Sequence, residues 1–152
     1  MASSAAHPFQ ILDFVPSGCC ILGEGGRILF WNQTLEAWTG IAPSGAVGRN
    51  LFELFPQLAQ PRFRDRILAV LATGAPTVFS SSLNPQFFPS SRSTGRPRIQ
   101  QTVLKRLPPG PEGAMALVTV SDVTDQFERG EKYRSARAQA LEEARVRGES
   151  EE

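Results

Sequence analysis

The order of hydrophobic patterns along the chain predicts an α+β fold. It is a five-stranded antiparallel sheet with short helices on one face, a short N-terminal helix before it and a charged helix after it. Three observations predict it. Two short apolar runs flank a glycine-rich turn near the start, amphipathic segments with helix punctuation fill residues 32–72, and three β-patterned runs follow before a charged tail. A length of 152 residues allows one domain plus such a tail.

Residues 1–8 read as a disordered N-terminus, followed by a brief amphipathic cap helix over 9–15 in which Ile11, Leu12, Phe14 and Val15 are apolar. Pro16 stops it. Residues 17–22 and 27–31 read as two strands, and Glu24-Gly25-Gly26 between them makes a hairpin. Asn32 is placed to cap a helix over 33–38, with Gly40 just past its end and Leu35 and Trp38 on one face. Pro43, Ser44 and Gly45 break the chain. Asn50 is the expected cap for a short helix over 51–55 that Pro56 ends. A longer helix is expected over 61–72, with proline at its start, Gly74 beyond its end and Phe63, Ile67, Leu68 and Leu71 in one stripe.

The third strand starts at Thr77-Val78-Phe79. The fourth covers 98–107, with Ile99, Gln101 and Val103 on one side and Gln100, Thr102 and Leu104 on the other. Residues 108–113 read as a turn. The fifth strand, 114–120, is mostly apolar and therefore expected to be central. Residues 80–95, rich in Ser, Pro and Phe, form a long connection that is expected to lie across something. Residues 126–152 carry seven acidic and six basic side chains and no proline, so they read as a charged helical linker or coiled-coil tail.

Composition excludes several functions. A net charge of +1 supplies no field for nucleic acid or an anionic membrane. No apolar stretch approaches the roughly 20 residues of a membrane span, and Met1 to Pro8 do not read as a secretory signal. The two adjacent cysteines, Cys19 and Cys20, read as reduced thiols of a cytoplasmic protein. His7 is the only histidine, which removes histidine triads and histidine metal clusters. Gly23-Glu24-Gly25-Gly26 lacks the Lys and Ser/Thr of a phosphate loop, so the chain is not expected to be an enzyme.

Three motifs in order then point to a family. Residues 30–41, FWNQTLEAWTGI, resemble a strand end followed by N-x-x-[apolar]-E-x-[apolar]-T-G-[apolar]. Residues 48–56, GRNLFELFP, are similar to G-R-N-[apolar]-x-[DE]-[apolar]-x-P. Residues 120–125, VSDVTD, are similar to a closing D-[IV]-T-[DE]. Together they resemble a PAS domain over about 12–125, with domain boundaries of 9–125 once the cap helix is included. The resemblance implies a sensory or dimerisation module. Many such modules precede histidine kinase, diguanylate cyclase or phosphodiesterase domains, and they bind haem, flavins, small metabolites or nothing.

No cofactor is expected. The resemblance implies a haem histidine on the long helix, where this chain has none; Cys19, Cys20 or Met115 would be the remaining ligands. A covalent flavin adduct would need cysteine directly after Gly48-Arg49-Asn50, and Leu51 stands there. Trp31 and Trp38 could stack on a ring but read first as core. An unknown small molecule stays open, with Trp38, Phe52, Phe79, Gln100, Gln101, Thr102 and Met115 as pocket candidates. A buried glutamine needs partners, and a ligand could be one. On a strand Cys19 and Cys20 point to opposite faces, one inside and one outside, and read as small apolar filler. Arg62, Arg64 and Arg66 read as a solvated face, and Arg92, Arg96 and Arg98 as part of a soluble loop.

Asp122 is placed to cap the last helix, with Asp125 three residues on near the positive end of its dipole. The resemblance implies that Asp122, Thr124 and Asp125 couple the sheet to an output helix. Phe127, Arg134 and Leu141 recur every seven residues but make a poor seam, so the tail alone should fray. The expected partners are a second copy, held through the N-terminal helix, the outer sheet face and the C-terminal helix, and a linked or separate kinase or cyclase effector.

Overall fold

The computed structural model describes residues 8–90 and 95–150, with side chains through Gly148. The expected disorder at 1–7 and the reading of Arg92 lie outside the described residues. The chain divides into two compact units, one running to Asp122 and one from Val123.

The first unit holds one five-stranded sheet: β1 (Gly18–Leu22), β2 (Ile28–Trp31), β3 (Thr77–Phe79), β4 (Gln100–Gly110) and β5 (Gly113–Asp122). The strand order is β2-β1-β5-β4-β3, and every pairing is antiparallel. The central place expected for the last strand is therefore found. Between β2 and β3 lie α1 (Gln33–Thr39), α2 (Pro43–Ala46), α3 (Leu51–Leu54), a 3-10 turn (Pro56–Ala59) and α4 (Pro61–Thr73). The second unit is one helix, α5 (Thr124–Ser150).

Local chemistry explains most boundaries. Asn32 and Asn50 cap α1 and α3, their Oδ1 atoms accepting from the Leu35 and Phe52 amides. Gly40 and Gly74 close α1 and α4, donating their amides to Glu36 O and Val70 O.

Three expectations are corrected. Residues 10–14 form a 3-10 helix, Gln10–Phe14, because five residues before a proline leave little room for α-helical hydrogen bonds. Pro43 does not simply break the chain. It opens the four-residue α2, since proline is preorganised for a first helical turn. Pro56 ends α3 as expected and itself opens a 3-10 turn. Finally, β4 starts at Gln100 and runs through Pro108 and Pro109 to Gly110. The pairing is irregular between Leu107 and Gly110, so the two prolines sit where the ladder is already broken. The hairpin loop is only Pro111-Glu112, between the paired Gly110 and Gly113.

A bulge shapes the first hairpin. Ile21 pairs with Phe30 but Leu22 pairs with Ile28, which leaves Leu29 as the extra residue. Ile28 and Trp31, three apart, therefore both enter the core alongside Cys20 and Leu22. They meet Leu35 of α1, Leu51 and Phe52 of α3, Phe63, Ile67, Val70 and Leu71 of α4, and Leu104, Val118 and Val120 of the central strands. Leu68, expected in the α4 stripe, is only partly buried and Val70 takes its place. Cys19 alternates to the other face of β1 yet is also buried, as are Ile21 and Phe30; the ring of Phe9 sits 6.1 Å from that of Phe30.

Candidate functional site

The inner side of β4 begins with a polar residue in an apolar interior. Strand alternation sends Gln100, Thr102 and Leu104 inward, all three fully buried, while Gln101 is exposed on the other side. Three of the named pocket candidates, Phe79, Gln100 and Thr102, are thus brought together: Phe79 of β3 pairs directly with Thr102.

Gln100 has specific partners. Its Oε1 accepts from the Phe87 and Phe88 amides, each at 3.0 Å. Its Nε2 donates to Phe88 O at 2.7 Å and to Ser90 Oγ at 3.2 Å. The Gln100 amide donates to Pro85 O, and the Arg98 amide to Ser90 O. The connection expected to lie across something therefore lies along the start of β4, held by backbone and by one side-chain amide. These bonds satisfy groups that would be costly to bury unpaired.

The same bonds place two phenylalanines inside. Phe87 and Phe88 are fully buried, and ring contacts run on from them. Phe88 lies 4.9 Å from Phe55 and 5.4 Å from Trp31 between centroids; Phe87 lies 4.9 Å from Phe88 and 5.4 Å from Phe79, which lies 5.5 Å from Phe63. Such tilted and edge contacts add to the burial of each ring. One hydroxyl in this interior stands apart. Thr102 Oγ1 is buried and has no hydrogen-bond partner.

The other pocket candidates lie elsewhere. Trp38, half-buried on α1, carries the Arg98 guanidinium 4.8 Å above its ring and borders a surface groove with Gln86, Ser90 and Pro97. Phe52 is buried at the start of α3 beneath Arg64. Met115 is half-buried on β5 and lines an outer groove with Phe9, Leu29 and Val47. Burial pushes the Cys19 thiol up to about 11, and it pushes the Cys20 thiol higher still, with a smaller contribution from Cys19. Both thiols are buried and stay protonated near neutral pH, which makes them poor nucleophiles.

Two arginine groups do more than solvate a face. Arg62, Arg64 and Arg66 lie over the rings of Phe63, Phe52 and Phe79, at 4.5, 5.4 and 4.1 Å. Arg66 also donates to Thr77 Oγ1 at 2.7 Å and to Val78 O at 2.6 Å, so it locks α4 to β3. Arg98 pairs with Asp122 at 3.0 Å, joining the segment before β4 to the last residue of β5. Val123 alone separates that residue from α5, which opens on Thr124 with Asp125 in its first turn. Along α5, Arg145 bonds Glu142, and Arg134 bonds Glu131, three residues apart in each case.

Sequence reasoning missed the Phe87-Phe88 insertion and the arginine-over-phenylalanine pairs. A signal for the first was present: two adjacent phenylalanines in a polar, proline-rich loop are a poor fit to solvent.

Comparisons agree with the geometry. A model of the PAS fold family matches residues 12–128, and the chain belongs to that family. No curated protein matches the chain. Among solved structures, the chain is similar to a sensory box sensor histidine kinase from Vibrio cholerae, with 21% identity, a TM-score of 0.57, and coverage of 75% of this chain and 87% of that one. It is similar to the photoactive yellow protein domain of the sensor histidine kinase Ppr from Rhodospirillum centenum, with 23% identity, a TM-score of 0.55, and coverage of 71% and 92%. It is also similar to the PAS domain of nitrogen regulation protein NR(II) from Vibrio parahaemolyticus, with 18% identity, a TM-score of 0.53, and coverage of 78% and 99%.

Proposed function

We propose that the chain is a non-catalytic sensory input module that detects a small ligand or cellular signal. It relays this through α5 to an effector of the histidine kinase or diguanylate cyclase type, linked or separate. The observation that carries the reading is the polar thread from interior to exit. Gln100 and Arg98 hold the same inserted segment, and Arg98 also holds Asp122, the last residue of β5 and two before the first of the output helix. The solved sensor kinases named above support the effector class by likeness of fold. Asp122, Thr124 and Asp125 are the proposed coupling residues. No helix among the described residues is long and apolar enough to cross a membrane, and action in the cytoplasm is part of the proposal.

The closely packed aromatic interior favours a second reading: a ligand-free module serving dimerisation or docking. Ile11 and Phe14, 71% and 81% exposed, support a homodimer through the N-terminal segment, the outer sheet face and α5. The test is a thermal-shift screen of the purified chain against small apolar and amphipathic metabolites, with NMR of Thr124 and Asp125. A compound that raises the midpoint and moves those two resonances supports sensing. Stabilisation by no compound, with light scattering showing a dimer, supports the second reading and overturns the first.

A further inference from the structure

We infer that Phe87 and Phe88 are an intrachain occupant of a binding site, and that the external occupant is a flat apolar molecule carrying an amide. The inference rests on the sensory reading above and names the chemistry of its ligand.

The argument starts from how the segment is held. A loop that merely covered a core would bury side chains and leave its backbone to water. Here the backbone is recognised. The Gln100 carboxamide meets the backbone of Phe88 on both sides of its α-carbon, accepting from the N–H of one peptide unit at 3.0 Å and donating to the C=O of the next at 2.7 Å. An amide ligand would take over either half of that contact, its N–H donating to Gln100 Oε1 or its C=O accepting from Nε2. Main-chain bonds from Gln100 to Pro85 O and from Arg98 to Ser90 O hold the segment on either side of the two rings, so the rings are anchored as a docked ligand would be.

The side chains complete the analogy. Each ring contacts aromatic neighbours contributed by other elements: Trp31 of β2 and Phe55 after α3 for Phe88, Phe79 of β3 for Phe87. With the segment withdrawn, these would line a slot suited to a planar apolar body. Thr102 supplies the independent sign. Its hydroxyl, two residues from Gln100 on the same face of β4, is fully buried without a partner. A residue there that served packing alone would be better as valine, whereas a ligand's polar atom would satisfy the hydroxyl.

The test uses the full chain and two probes of similar shape: acetanilide, which carries an amide, and propylbenzene, which does not. Native-state amide exchange is followed by NMR. Acetanilide should speed exchange of the Phe87 and Phe88 amides by about tenfold while leaving those of Cys20 and Val118, in the sheet centre, unchanged. Phe88→Ala removes much of the intrachain competitor and should tighten acetanilide binding by about tenfold or more. Adding Gln100→Leu should abolish the preference for acetanilide over propylbenzene. Exchange at Phe87 and Phe88 that stays tied to that of Cys20 and Val118 at saturating acetanilide overturns the inference. So does a folded Phe88→Ala chain that binds neither probe, or both equally. If Phe88→Ala does not fold, exchange in the unaltered chain decides alone. Failure here leaves the sensory reading standing whenever the metabolite screen finds a stabilising compound that moves Thr124 and Asp125.

Discussion

Asn32 accepts the amide of Cys19 on its Oδ1 atom at 3.0 Å, tying the last turn of one strand to the neighbouring one at the point where α1 begins. The same oxygen accepts from the Leu35 amide at 3.0 Å, and Nδ2 donates to Leu12 O and Ser17 O, both at 2.9 Å. One fully buried side chain thus serves as helix cap, hairpin closure and anchor for the N-terminal segment.

Asn32→Ala removes the cap and strands several backbone groups, so it should cost about 2–4 kcal/mol in urea unfolding. A loss under about 1 kcal/mol would show that the four bonds are replaceable by water. Asn32→Asp keeps the acceptor but turns its second oxygen toward two carbonyls, which disfavours the ionised form. The folded-state pKa of that carboxyl should lie above its unfolded value. Its stability should therefore be full at acid pH and fall as pH rises through the folded value. A flat pH profile would contradict this.

Gly26 packs its α-carbon against Phe52. Its φ is +93°, and a Cβ there would lie 2.6 Å from Phe52 Cε2. Gly26→Ala combines a left-handed backbone with a steric clash and should destabilise by about 1–3 kcal/mol. The double variant Gly26→Ala, Phe52→Leu should recover part of the loss. Additive losses instead would place the strain in the backbone alone.

The thiols give a pH prediction. Cys19 titrates at about 11 when folded, against 9.0 without burial. Its folded pKa is raised, so its contribution is complete below pH 9.0 and is lost as pH climbs toward 11. Thermal midpoints should fall across that window in the unaltered chain and fall less in Cys19→Ala. Labelling by a thiol-reactive disulfide at neutral pH should be slow and should track unfolding; rapid labelling of the native chain would mean that the outer face of β1 opens readily.

Arg98 joins Trp38 on α1 to Asp122 at the end of β5. Arg98→Met should cost about 1 kcal/mol, since the pair is partly exposed and solvent screens it. A double-mutant cycle with Trp38→Leu should show non-additivity of several tenths of a kcal/mol, about the size of one exposed cation–π contact. Strict additivity would mean that the ring and the guanidinium lie together without interacting.

Most of the architecture was legible because punctuation and periodicity agreed. Asn32, Asn50, Gly40 and Gly74 mark helix ends through local hydrogen bonding alone, and the apolar run of β5 marks a strand paired on both sides. The site was legible only as residue types. Period-two alternation separates Gln100 and Thr102 from Gln101 but cannot say which set faces inward. What Gln100 grips lies ten to thirteen residues away, in a loop without periodicity. The bulge at Leu29 was invisible for a related reason, since a one-residue insertion leaves no mark in a four-residue strand.

The strand order has a consequence for how the protein is made. β1 finds its second neighbour in β5, so the middle of the sheet stays open until the segment ending at Asp122 has emerged from the ribosome. At ordinary elongation rates that delay is roughly 5–20 s. Throughout it, the Cys20-Ile21-Leu22 edge of the nascent hairpin is bare and adhesive. The birth of this domain is therefore the moment at which it most needs a chaperone, and slowed translation between residues 32 and 112 would lengthen that exposure.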